Sequence, residues 1–128
     1  MDTRPQPALA RLIARAEHDP EVLALILFGS RARGEARTTS DVDVCLVLAG
    51  TEPSARSRKR LEYLAEAEVD LSVFQDLPLA LQTRVLGEGK VLFVRDEDAL
   101  YDLAARAVRA FEDFRHIHRE YLDRVASD

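Results

Sequence analysis

Apolar residues recur along this chain in two rhythms, one of three to four residues and one of alternation or unbroken runs, and the switches between them predict its elements. Residues 1–7, with Pro5 and Pro7, are expected to be disordered. Leu9, Leu12, Ile13 and Ala16 then predict a helix over residues 8–16, ending near Asp19-Pro20 because a proline disfavours helix in the residue before it. Val22–Phe28 is a continuous apolar run stopped by Gly29, short enough to be a strand and apolar enough to lie inside a sheet covered on both faces. Residues 30–36 read as a short helix or turn capped by Ser30, and residues 41–48 as a second strand, polar only at its first tip. Ser54 is expected to cap a charged helix over 55–67 that turns Leu61 and Leu64 inward. Residues 69–74 alternate as a third strand, residues 77–88 form a helix closed by Gly87 and Gly89, and Lys90–Val94 is a short last strand. From 96 to 125 one long helix carries Leu100, Leu103, Ala107, Phe111, Phe114, Ile117, Tyr121 and Val125 in steps of three and four. Helices interleaved with strands predict an α+β fold: a small mixed sheet flanked by helices, with a long C-terminal helix.

At 128 residues and 14.4 kDa the chain fits a single domain over 1–128, since a second core needs roughly 50 residues of its own. A net charge of −5 and a pI near 5.2 argue against a protein that grips long nucleic acid through phosphate neutralisation, and favour a small substrate or a protein partner. The basic run Arg56, Arg58, Lys59 and Arg60 is answered at once by Glu62, Glu66 and Glu68, which reads as a solvated helix face. Cys45 is the sole cysteine, so no intrachain disulfide forms; a reducing, cytoplasmic setting follows, with Cys45 packing inside its strand. No apolar run is long enough for a membrane span, and the first residues lack a signal-peptide core.

The chemistry concentrates between Phe28 and Val44. A Gly29-Ser30 pair follows an apolar strand and precedes, by ten residues, an Asp41-Val42-Asp43 that opens the next strand. Residues i and i+2 of a strand face the same way, so Asp41 and Asp43 converge with backbones roughly 7 Å apart. Carboxylates so close repel unless a cation lies between them, and hard oxygen ligands without histidine or cysteine select Mg²⁺ or Mn²⁺ over zinc. Gly29 lets a phosphate approach the backbone, and the amides of a helix starting at Ser30 form an anion site for a nucleotide triphosphate. Asp70, in the third strand, joins the pair if its strand neighbours theirs, and then serves the metal that activates an attacking hydroxyl. Arg31 and Arg33 read as solvent-facing charges, and His116 with His118, two apart on a helix, point away from each other and hold no metal.

On these residues the chain resembles the minimal nucleotidyltransferases (MNT) of the DNA polymerase beta superfamily. Gly29, Ser30, Asp41 and Asp43 match the Gly-Ser, ten residues, Asp-x-Asp signature, Asp70 matches the third acidic strand, and the likeness runs over nearly the whole chain. Val44-Cys45 departs mildly from the family's usual wording. The resemblance implies a polymerase beta-like fold and metal-dependent transfer of a nucleoside monophosphate, with Asp41, Asp43 and Asp70 catalytic and metal-holding and Gly29 with Ser30 on the triphosphate. Many members, the MntA-like ones among them, are antitoxins paired with a HEPN-domain ribonuclease toxin. That implies ATP as donor, a HEPN toxin as partner and a toxin tyrosine as acceptor of AMP. The alternative is a non-catalytic antitoxin that neutralises its partner by occlusion. Base preference, acceptor and oligomeric state, homodimer included, stay open at the level of sequence.

Overall fold

In the computed structural model, which describes residues 7–29, 42–50 and 52–126 apart from the side chains of His118 and Tyr121, apolar periodicity and structure largely coincide. The order is helix α1 (Pro7–Glu17), strand β1 (Val22–Phe28), strand β2 (Asp43–Leu48), helix α2 (Pro53–Leu64), strand β3 (Asp70–Val73), a 3-10 turn (Phe74–Asp76), helix α3 (Leu79–Glu88), strand β4 (Lys90–Val94) and helix α4 (Glu97–Ala126). The strands form one mixed sheet in the order β3-β2-β1-β4. β1 runs antiparallel to β2 and β4, whereas β2 and β3 run parallel and therefore need the crossover that α2 provides. The unbroken apolar run of β1 is explained by its place: it is a central strand, buried from Val22 to Ile26.

Alternation along the strands divides the core in two. Leu25, Val44, Leu46, Leu48, Leu71 and Val73 face α1 and α2, where they meet Leu9, Leu12, Ala16 and Tyr63. Ala24, Ile26, Cys45 and Val47 face α3 and α4, against Phe74, Val85 and Ala107. The end of α1 is closed by a distant side chain: the Arg95 guanidinium donates to the carbonyls of Ala16 (2.6 Å), Glu17 (3.2 Å) and Asp19 (3.1 Å), adding to the backbone bonds that Asp19 and Val22 make to the first and last of them.

Several expectations are corrected. Helix α2 starts at Pro53 after Glu52, not on a Ser54 cap, because proline is pre-organised for the first helical position. Leu61 is 64% exposed, and the buried residue of α2 is Tyr63, whose hydroxyl donates to Asp19 at 2.9 Å. The basic run is not merely solvated: Arg56 pairs with Asp76 at 2.8 Å, Lys59 reaches Asp19 at 3.0 Å and Glu21 at 2.8 Å, and Arg60 donates to the Leu71 carbonyl at 2.9 Å. β3 stops at Val73, since Phe74 begins the 3-10 turn whose Gln75 side chain donates to the Leu48 carbonyl at the end of β2. α3 starts two residues later than expected, after Pro78. Gly87 lies within α3, and Gly89 keeps φ at −76° instead of the left-handed cap; it is glycine because a Cβ there would run into Ile26 and the Val85 carbonyl. In α4 only the first part of the stripe packs: Leu100, Leu103 and Ala107 join the core, while Phe114, Ile117 and Val125 are exposed.

Candidate active site

Three strand ends meet at one end of the sheet. Phe28, at the end of β1, pairs with Asp43 at the start of β2, and Asp43 pairs in register with Asp70 at the start of β3. In-register neighbours project to the same face about 4.8 Å apart. Because Val44 and Leu71 point toward α1 and α2, Asp43 and Asp70 stand on the opposite, α3 side. The Asp70 amide donates to the Val42 carbonyl at 2.9 Å, so the ladder extends to the carboxylates themselves. The neighbourhood of strands that would bring Asp70 beside Asp43 is therefore present.

Gly29 bends the chain away immediately above Asp43. Its φ of +82° belongs to the left-handed region, and a Cβ at this position would strike the Asp43 carboxylate. Beside the pair opens a hollow of about 280 Å³ lined by Phe28, Gly29, Asp43, Leu81, Arg84, Val85 and Glu88. Arg84 and Glu88 sit one turn apart on α3, with Nε and Oε2 at 3.3 Å. Sequence patterning had passed over Arg84; the spacing of Leu81, Val85 and Glu88 around it was the available signal, but it does not say which end of the sheet α3 covers.

Ser30 and Asp41, with Arg31 and Arg33, lie outside the described residues. Among the described residues no group of three His, Cys, Asp or Glu is placed to hold a metal ion. The donor set that is described fits a hard divalent cation all the same: two carboxylates in register on one face, and a Cys45 thiol that is buried and pushed up to about 12 by that burial, hence neutral and no ligand. His116 pairs with Glu120 at 3.0 Å on the exposed part of α4 and takes no part in the site. Among the described residues no helix is long and apolar enough to cross a membrane.

Residues 10–98 match the family model described as Polymerase beta, Nucleotidyltransferase. A protein of Methanocaldococcus jannaschii that carries the provisional name protein adenylyltransferase is 31% identical over 107 residues, covering 82% of this chain and 76% of the relative. Among solved structures, a chain from a toxin-antitoxin crystallised with AMP-PNP superposes with a TM-score of 0.65 at 21% identity, over 92% of this chain and 95% of that one. A chain from the complex of tri-AMPylated Shewanella oneidensis HEPN toxin with its MNT antitoxin gives 0.60 at 19% identity, over 91% and 92%. At such identities these two structures speak for the shared fold.

Proposed function

The chain belongs to the polymerase beta nucleotidyltransferase family, and from that premise we propose that it is an antitoxin acting in the cytoplasm as a single domain, which transfers AMP from ATP to a tyrosine hydroxyl of a HEPN-domain ribonuclease toxin. The observation that carries the reading is the register of Asp43 against Asp70, with Gly29 folded over Asp43. The protein acceptor is supported by the name of the Methanocaldococcus relative, and the HEPN partner by the toxin-antitoxin complexes among the fold neighbours.

The acceptor oxygen forms a bond to the alpha phosphorus as the bond to the bridging oxygen breaks, and pyrophosphate leaves. Asp70 stands at the exposed rim of the carboxylate pair, where it receives the acceptor proton. Asp41 and Asp43 would hold Mg²⁺ or Mn²⁺, which would neutralise the triphosphate and acidify the acceptor hydroxyl. Gly29 and Ser30 cradle the terminal phosphates with backbone amides and a hydroxyl. Such catalysis is mainly positioning and charge neutralisation. An AMP group placed at a ribonuclease site repels RNA phosphates and fills the entrance, so the toxin is silenced chemically.

Mass spectrometry of the toxin after co-expression tests this. The toxin gains AMP with the wild-type chain, and Asp43→Asn lowers transfer at least about 100-fold while the antitoxin stays folded. A toxin that is silenced but unmodified favours occlusion, for which the exposed second part of α4 supplies a surface.

A further inference from the structure

Among its described lining residues the hollow beside Asp43 carries two acidic side chains and one basic one. Asp43 and Glu88 set two acidic groups in its wall, and the donor placed there by the proposed function brings a triphosphate of the same sign. A cation at the carboxylates and the amides from Gly29 onward would offset part of that charge, and a charged donor on the α3 wall would add to them as pyrophosphate leaves. Among the described residues lining the hollow, Arg84 is the cationic one.

Three features of Arg84 suit it to that task. Its backbone is fixed, because Val85 of the same helix is buried in the core, Gln82 donates to the Phe74 carbonyl at 3.0 Å, and Gly89 lets the helix end press against Ile26. Its side chain is loosely held: the contact to Glu88 is 3.3 Å, with the two side chains 60% and 44% exposed, so water screens the pair and separation costs little. Its guanidinium presents a planar fork of donors that matches two phosphate oxygens at once, which an ammonium does not.

We propose that Arg84 is a phosphate-binding residue of the donor site, moving from Glu88 onto the terminal phosphates of the bound nucleotide and staying with pyrophosphate as it leaves. This rests on the nucleotidyltransferase reading and adds a recognition element that the Gly-Ser and Asp-x-Asp motif does not contain. A purely structural Arg84, stapling one turn of α3 to Glu88, makes a different forecast, because it would not distinguish one nucleotide from another by its phosphate count.

The test is calorimetric titration of the full chain with ATP and with AMP, each with Mg²⁺, for wild type, Arg84→Ala and Arg84→Lys. Arg84→Ala weakens ATP binding by about tenfold or more and leaves AMP within about twofold, as loss of a charge-assisted hydrogen bond to phosphate requires. Arg84→Lys restores part of the difference, and thermal unfolding of all three stays close to wild type because the side chain is mostly exposed. Equal loss for ATP and AMP, or no loss for either, overturns the assignment of Arg84 while wild-type ATP binding and transfer leave the enzyme reading standing. A wild-type chain that neither binds ATP nor transfers AMP overturns both.

Discussion

Gly29 answers two demands that no other residue meets together: a left-handed backbone and an empty Cβ position against the Asp43 carboxylate. Gly29→Ala should therefore cost about 1–2 kcal/mol in urea unfolding and reduce transfer further than that loss explains, since the new methyl displaces a carboxylate of the site. Unchanged transfer in a folded variant would detach Gly29 from the chemistry. Gly29 and Asp43 stood out as candidates in sequence because strand alternation and motif spacing are local, whereas the place of Asp70 beside Asp43 hung on the order of the strands, which the sheet supplies. Arg84 did not stand out, since the seating of α3 over one sheet end is a tertiary matter. Asp19 was equally hidden, showing only as part of a helix stop before Pro20. Burial raises its carboxyl pKa, yet donation from Lys59, Tyr63 and the Glu21 amide outweighs this and holds it below its ordinary value of 3.8. A folded-state pKa that is depressed contributes stability that is complete above the unfolded pKa and vanishes as pH falls through the folded one. Urea midpoints measured from about pH 5 downward should fall for wild type below about pH 4, and Asp19→Asn, weaker at neutral pH, should lose less over that window.

Elements were readable where one physical signal ruled and misread where two competed. β1 and β4 match their expected bounds because their apolar runs are short and bounded by glycine or charge. In α2 the aliphatic stripe pointed to Leu61, but the inward face carries Lys59 and Tyr63, one turn apart, whose polar ends are satisfied by Asp19. A polar partner from another element makes a polar residue buriable, and the helix's own pattern does not show that partner. The opposite happens in α4, where a regular apolar stripe outruns the body that covers it. Ile117, at 65% exposure, gains nothing from the folded chain. Ile117→Glu should shift stability by no more than about 0.5 kcal/mol and weaken association with the proposed toxin partner, as read by co-purification and by unfolding of the lone chain. Unaltered association would move the partner's contact away from this part of α4.

At the scale of the molecule, two cores share one sheet, and the candidate site sits at the end where three strands present their tips. A net charge of −5 disfavours gripping a long polynucleotide by phosphate neutralisation, which is why the proposed reading gives the acceptor a protein carrier. The order of the strands carries a consequence in time as well as in space. β2 and β3 are the parallel pair, and Asp43 and Asp70 become neighbours only after the crossover through α2 has closed a loop that helix formation alone does not reward. In refolding from urea the helical dichroism should return ahead of ATP binding, which recovers with the slowest phase; simultaneous recovery would mean that the pair forms early. A chain nicked within α2 keeps every carboxylate but loses the covalent link that makes the pairing of β3 with β2 intramolecular, so once unfolded it should recover ATP binding more slowly than the intact chain. On this topology, competence to bind nucleotide should be among the last properties each molecule acquires, arriving when the crossover docks.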